Sequence, residues 1–307
     1  MLLLSAPMAG ITDKPFRLIL RKFTSLDLYT EMLGISTLYH NHPQTLKMLK
    51  ISDEKDIIVQ LVGIEEKYMI HAAKMACFYG AKAIDINMGC PVKKLITNGS
   101  GAALLKTPDT AARLVEAVKN AVDVPVFVKT RIGWDLNNIT VASFAKRMQE
   151  AGADRITVHG RTKEAGYAGP VHQDVIALVK KRVSIPVIAN GDVTSYQTAQ
   201  SMIKNTQADG VMVARGLLGR PWLLNEIQQK QIPDFKLADI ILEHLDLMLA
   251  YYQKAGLPAM RKHLAWYATG LEGKASFCNQ VFAEKEVDKV KKIIKDFFKD
   301  IKIKETK

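Results

Sequence analysis

Cysteine is scarce. The 307-residue chain holds three, Cys77, Cys90 and Cys278. They are odd in number and far apart, so neither a disulfide framework nor a metal site is expected, and a reducing cytoplasm fits best. Long apolar runs are missing too. None approaches the 18 or so residues needed to cross a bilayer, so no membrane association is expected. Met1–Leu4 is apolar, but no basic segment precedes it and Ser5-Ala6-Pro7 ends it at once. It reads as a first strand, not a secretory signal. No strand-like run leads into Gly-x-Gly-x-x-Gly and a helix, which argues against a Rossmann dinucleotide domain. Internal repeats are absent.

What is abundant is positive charge. Lys and Arg number 43 against 31 Asp and Glu, a net +12. Such a balance suits a polyanionic partner, nucleic acid foremost. The excess is spread out, however: from Lys236 onward there are 14 basic and 10 acidic residues, +4 of the total. On composition alone, solvated charged faces explain it equally well.

Strand-like and helix-like patterns alternate up to about residue 225. The β-rich runs are Leu2–Ser5, Leu26–Thr30, Ile57–Val62, Ala83–Asn87, Val124–Thr130, Arg155–His159, Pro186–Ala189 and Gly210–Ala214. Helical periodicity predicts Glu65–Phe78, Thr110–Val122 and Val141–Ala151 between them. Several strands are nearly continuous apolar runs, as expected when both faces are covered. Eight βα units predict an α/β fold, a (β/α)8 TIM barrel. After Pro233 strands give way to helical patterns at Leu237–Lys254, Ala259–Leu271 and Ala283–Lys302. The expected organisation is a barrel over residues 1–230 and a small helical domain over 236–307.

In such a barrel, chemistry is built at the C-terminal ends of the strands. The stretch Ala83–Val92 ends a β-branched run in a tight turn carrying Asn87, Gly89, Cys90 and Pro91. A thiol there stands where an active site forms, although buried cysteines are often inert. The other strand ends carry Ala6-Pro7-Met8-Ala9-Gly10, Thr30-Glu31, Gln60, Lys129-Thr130-Arg131, His159-Gly160-Arg161, Asn190-Gly191-Asp192 and Ala214-Arg215. The last two groups sit where this fold often grips phosphate. Arg215 adds a fork of donors suited to it. Lys129 suits either a Schiff base or neutralisation of an anionic cofactor such as reduced flavin. Gln60 and Asn87 can read a ring edge as amide donors and acceptors.

Six motifs occur in this order: Ala6-Pro-Met-Ala-Gly-Ile-Thr-Asp-Lys-Pro-Phe-Arg17, Asp85-Ile-Asn-Met-Gly-Cys-Pro91, Gly99-Ser-Gly-Ala-Ala-Leu-Leu105, His159-Gly-Arg-Thr162, Ala189-Asn-Gly-Asp192 and Ala214-Arg-Gly-Leu-Leu-Gly-Arg-Pro-Trp222. Together they resemble the tRNA-dihydrouridine synthases, most closely the bacterial DusB-like branch. The resemblance covers nearly the whole chain. It implies an FMN-containing barrel with a C-terminal helical domain, reducing a D-loop uridine of tRNA to 5,6-dihydrouridine with NADPH as reductant.

Carried onto this chain, it implies that Pro7, Met8, Ala9, Gln60, Lys129, His159, Asn190, Gly191, Asp192, Ala214 and Arg215 hold FMN. Cys90 becomes the proton donor to C5, with hydride passing from flavin N5 to C6. Asn87 and Arg161 would bind the substrate, and Lys93–Gly101 would form a loop that closes over the extruded base. In the helical domain, Met260–Tyr267 resembles the helix that faces tRNA, with Arg261, Lys262 and His263 on phosphates and contacts at the D-loop and elbow. Position 17 of the D-loop is favoured as the target, and a monomer is expected. Family members carry a segment before the first strand, often a β-hairpin, whereas Met1 begins inside that strand. The rival readings are an FMN barrel acting on a free pyrimidine and an RNA-binding scaffold without chemistry.

Overall fold

The computed structural model describes residues 1–303. Eight strands occur as β1 (Leu2–Ser5), β2 (Leu28–Gly34), β3 (Ile57–Val62), β4 (Ala83–Met88), β5 (Val126–Arg131), β6 (Arg155–His159), β7 (Val187–Asn190) and β8 (Gly210–Val213). All neighbours pair in parallel, in the order β1-β8-β7-β6-β5-β4-β3-β2. The end members β1 and β2 also lie within packing distance, and helices separate successive strands. The fold is a (β/α)8 TIM barrel.

The observed bounds differ from the expected ones at five strands, by a single residue at each changed end of β4, β7 and β8 and by more at β2 and β5. β2 begins at Leu28 and continues to Gly34, with a register shift against β3 between Tyr29 and Met32. A bulge lets a strand bend at a barrel rim. β5 starts at Val126 and reaches Arg131, so Lys129 and Arg131 are both strand residues pointing the same way. Ile57–Val62 and Ala83–Met88 are buried at every position, as continuous apolar runs require when one face meets the barrel interior and the other the helix layer.

The chain divides into two compact units. The barrel unit comprises Met1–Asp13, Leu26–Val193 and Gln197–Ala214. The helical unit takes in residues from Arg215 onward, and also Lys14–Ser25 and Thr194–Tyr196. Its core gathers Ile19 and Phe23 with Trp222, Ile241, Leu245, Leu264, Phe277, Ile294 and Phe298. Phe277 stacks on Phe297 at 4.4 Å and meets Phe298 edge-on at 5.3 Å.

Beyond residue 236 the helices of this unit are Leu237–Tyr252, Gly256–Tyr267, Lys274–Ala283 and Val287–Phe298. The single helix expected over 283–302 is therefore a shorter one, preceded by a helix that periodicity missed. Glu284 adopts extended backbone and its carboxylate accepts from the amides of Lys285 and Glu286 at 2.7 and 2.9 Å, which separates the two. A short antiparallel ribbon, Phe235–Lys236 with Lys302–Ile303, closes this unit on itself. Among the described residues no helix is long and apolar enough to cross a membrane.

Candidate active site

Alternation along the strands decides which side chains fill the barrel. The lowest inward layer is apolar, with Leu4, Tyr29, Ile58, Ala83, Ile188 and Met212 packed together. Above it the interior turns polar. Gln60 and Asp85 are register partners, and so are Asn87 and Lys129. Toward the C-terminal ends these side chains form one hydrogen-bonded chain. Gln60 Nε2 donates to Asp85 Oδ2 at 2.7 Å, and Asn87 Nδ2 donates to Gln60 Oε1 at 2.8 Å.

The same Asn87 shapes the turn that carries the thiol. Its Oδ1 accepts from the amides of Gly89 at 3.1 Å and Cys90 at 2.9 Å, the side-chain mimic of a backbone turn that Asn makes well. Arg131 fixes the turn from the next strand. Its Nε donates to the Gly89 carbonyl at 2.7 Å, while Nη1 donates to the carbonyls of Thr162 and Gly166 at 2.9 and 2.7 Å. Thr130 Oγ1 adds a bond to the Met88 carbonyl at 3.1 Å. From beyond, Gly101 (φ +62°) crosses so closely that a Cβ there would sit 2.7 Å from the Cys90 carbonyl oxygen. That oxygen accepts from the Ala102 amide at 3.0 Å. Only glycine fits both the left-handed backbone and the contact.

Cys90 is thus held by a built turn and is half-buried. Burial raises its thiol above the ordinary range, against lowering by the Val92 backbone, Arg131 and Lys129. It is a neutral S–H at pH 7 and can give up a proton. Lys129, half-buried on the same rim, donates to Asn190 Oδ1 at 3.1 Å. Burial and then Arg131 push its pKa down, with Asp85 pulling the other way. Asp85 is fully buried and its pKa is raised by that burial, offset by Gln60, Lys129 and Arg155. Deeper still, Arg155 donates to the Tyr29 hydroxyl at 3.0 Å and lies 3.6 Å from the centre of the Phe127 ring. Charge therefore alternates up the interior as Arg155, Asp85, Lys129.

The remaining expected residues fall as follows. Pro7 and Met8 are half-buried and Ala9 exposed, in a turn where the Met8 carbonyl accepts from Ile11 and Thr12 at 3.0 Å. His159 is buried with its ring 6.2 Å from that of Tyr167. Asn190 Nδ2 donates to the Met212 carbonyl at 2.9 Å. Gly191 and Asp192 follow with positive φ. Arg161, expected at the substrate, is instead buried: it pairs with the Asp192 carboxylate and with the carbonyls of Ala168 and Gly169. It ties the loop after β6 to the loop after β7. Ala214 ends the barrel unit half-buried, and Arg215, next in the chain, is exposed in the helical unit.

In the helical unit, Arg261 Nη2 donates to the Glu284 carbonyl at 3.0 Å and Lys262 is half-buried. His263, expected on RNA phosphates, is 1% exposed and lies 4.6 Å from the His244 ring. A buried neutral ring is no phosphate ligand. The segment expected as a loop at 93–101 begins as the short helix Lys93–Thr97, pinned by Ser100 Oγ on the Leu95 carbonyl at 3.0 Å. Sequence reasoning gave Asp85, Thr130 and Arg155 no role of their own. Asp85 and Arg155 carried a signal, namely charge at inward positions of otherwise apolar strands.

A family model described as dihydrouridine synthase (Dus) matches residues 4–302. The chain belongs to the dihydrouridine synthase family. A probable tRNA-dihydrouridine synthase of Rickettsia conorii is 39% identical, over 96% of this chain and 93% of that protein. A probable tRNA-dihydrouridine synthase 1 of Synechocystis is 40% identical, over 95% and 84% respectively. The tRNA-dihydrouridine synthase B of Pseudomonas syringae is 38% identical, over 90% and 85%. Among solved structures, histamine dehydrogenase from Rhizobium superposes with a TM-score of 0.59 at 13% identity, over 97% of this chain and 62% of that one. That likeness shows the barrel fold alone.

Proposed function

We propose that this dihydrouridine synthase reduces a D-loop uridine of tRNA, at position 17, to 5,6-dihydrouridine, with FMN as bound cofactor and NADPH as the source of electrons. The observation that carries the reading is the Cys90 thiol held just past the end of β4 by the Asn87 turn, on the rim that also presents Lys129 and Asn190.

The barrel mouth fits a flavin. Lys129 spends one bond on Asn190 and has further N–H groups to give. Thr157 Oγ1 and Asp85 Oδ1 are buried in the polar interior below the rim with no partner among the described residues. Pro7, Met8 and Ala9 would border the ring. Gln60, Lys129 and His159 would face its polar edge, and Asn190, Gly191, Asp192, Ala214 and Arg215 would hold the ribityl phosphate. When bound, FMN would supply the hydride that saturates C6.

The chain's own residues do the rest. Cys90 delivers a proton to C5 of the uracil, and the Asn87 turn with Arg131 holds that thiol in one place while it does so. Burial serves the step by keeping the sulfur protonated at neutral pH. Lys129 offsets negative charge at the mouth, and its lowered pKa makes that service fade in alkali. The target must leave its stack to reach a barrel mouth, at a cost of a few kcal/mol. The helical unit, with Arg261 and Lys262, contributes backbone contacts that offset this.

The purified protein should release FMN on denaturation. With NADPH and unmodified tRNA it should add two hydrogen atoms to one uridine, located at position 17 by primer extension. A protein that neither carries nor takes up FMN, or that leaves the uridine content unchanged, contradicts the reading.

A further inference from the structure

A cluster of cations stands on the barrel rim away from the loops after β7 and β8. Its centre is Trp134, in the loop that follows β5. Two ammonium groups pack against the indole: Lys106 Nζ is 3.5 Å from the ring centre and Lys163 Nζ 4.3 Å. The two nitrogens are therefore at most about 8 Å apart, a gap that one phosphate can bridge by accepting at about 2.8 Å on two oxygens. Among the described residues neither lysine pairs with a carboxylate. The nearby acids are occupied elsewhere: Asp109 pairs with Arg147 at 3.1 Å. Asp135 accepts from the Asn137 amide at 2.8 Å and from Asn138 Nδ2 at 2.8 and 2.9 Å.

The platform is rigid. Trp134 N donates to the Asn138 carbonyl at 3.2 Å, and its own carbonyl accepts from Glu164 N at 3.0 Å. Lys163 N donates to the Gly133 carbonyl at 2.9 Å. A Cβ at Gly133 would collide with the Asn138 carbonyl, so the hairpin closes only with glycine there. Beside the indole opens a cleft of ≈ 720 Å³ whose lining includes Lys106, Trp134 and Arg147 together with the two occupied carboxylates, Asp109 and Asp135, while Lys163 stands outside it. Cys90, Lys129 and Asn190 do not line it. Lys106 ends the turn Gly101–Lys106, whose Ala102 amide holds the Cys90 carbonyl. The site thus rides on the segment that fixes the thiol.

Two cations held against one ring repel each other, and an anion between them relieves this. Cation–π attraction to Trp is the means of holding them ready. We infer that Lys106 and Lys163, organised by Trp134, bind a backbone phosphate of the substrate RNA close to the target nucleotide. The inference rests on the proposed action on tRNA. It adds a barrel-borne contact to those of the helical unit, and sets the register in which the strand crosses the rim.

The test compares the FMN-loaded full-length protein with Lys106→Gln/Lys163→Gln and Trp134→Leu. Lys74→Gln/Lys181→Gln, exposed on helices elsewhere, removes equal charge as a control. Affinity for unmodified tRNA is measured by filter binding from 50 to 200 mM KCl. The Lys106/Lys163 pair variant should bind at least tenfold more weakly, with a log K against log [KCl] slope shallower by roughly one, as expected when one phosphate is no longer neutralised. Trp134→Leu should show part of the same loss, and the control variant little of it. FMN content and the rate of NADPH-driven flavin reduction should stay at wild-type values throughout. An unchanged slope in the Lys106/Lys163 variant, equal loss in the control, or a defect confined to the NADPH step would each overturn the inference while leaving the proposed function intact. Wild-type protein with no measurable affinity for tRNA would sink both.

Discussion

The two units bury ionisable side chains in opposite ways. In the barrel, Arg155, Asp85 and Lys129 are stacked with alternating sign and tied by amides and hydroxyls. In the helical unit, His244 and His263 lie almost fully buried against Phe16 and Tyr267, and each Nε2 lacks a partner among the described residues. The barrel compensates charge because charge is wanted at its mouth. The helical unit excludes charge because its interior only packs. Burial costs the same kind of energy in both. What differs is the kind of partner supplied.

The comparison is tested most severely at Asp85. Asp85→Ala leaves Lys129 and Arg155 without the carboxylate between them and strands the Gln60 amide. Loss of one member of a buried charge set costs about 3–5 kcal/mol. Urea unfolding should show a drop of that order, and Asp85→Asn a smaller one, because it removes the charge but keeps a hydrogen-bonding group for Gln60. Wild-type stability in both variants would mean that the charges are not coupled.

The histidines offer the converse test. Burial pushes the pKa of His244 down to about 3 and that of His263 well below its usual value. Below pH 6.5 the unfolded chain takes up protons that the folded chain refuses. Stability is therefore complete above 6.5 and falls as pH drops toward the folded values. The slope is about 1.4 kcal/mol per pH unit for each histidine. His244→Phe should flatten the acid limb of a Tm-against-pH curve, and an unaltered limb would show that the ring titrates freely.

Smaller effects should follow from local geometry. Gly101→Ala forces a side chain into left-handed backbone against the Cys90 carbonyl, at roughly 1–2 kcal/mol. It should lower Tm by a few degrees and slow any Cys90-dependent step. Lys82, paired at the surface with Asp27 and Asp56 at 2.6 and 2.9 Å, should cost under about 1 kcal/mol on truncation to alanine.

Legibility in the sequence followed the same division. Short β-rich apolar runs located all eight strands, and with them the rim positions of Cys90, Lys129 and Asn190. Alternation reports which face a residue takes, not its partner. Arg161 therefore looked like a rim cation until its pairing with Asp192 was seen. His263 was legible in principle. It shares the buried stripe of its helix with Met260, Leu264 and Tyr267, a spacing that marks a core position. The inclusion of Lys14–Ser25 in the helical unit had no sequence signal, because Ile19 and Phe23 suit any apolar surface equally well.

The central claim is that the Cys90 thiol supplies a proton to uracil C5. Dihydrouridine formed per enzyme on unmodified tRNA, with NADPH, should be compared between wild-type protein and Cys90→Ala at matched FMN content. The account predicts that the variant binds FMN and tRNA as wild type does and loses turnover by roughly 10²–10⁴-fold, the usual contribution of a positioned general acid. A variant that reduces tRNA uridine at near wild-type rate would contradict it.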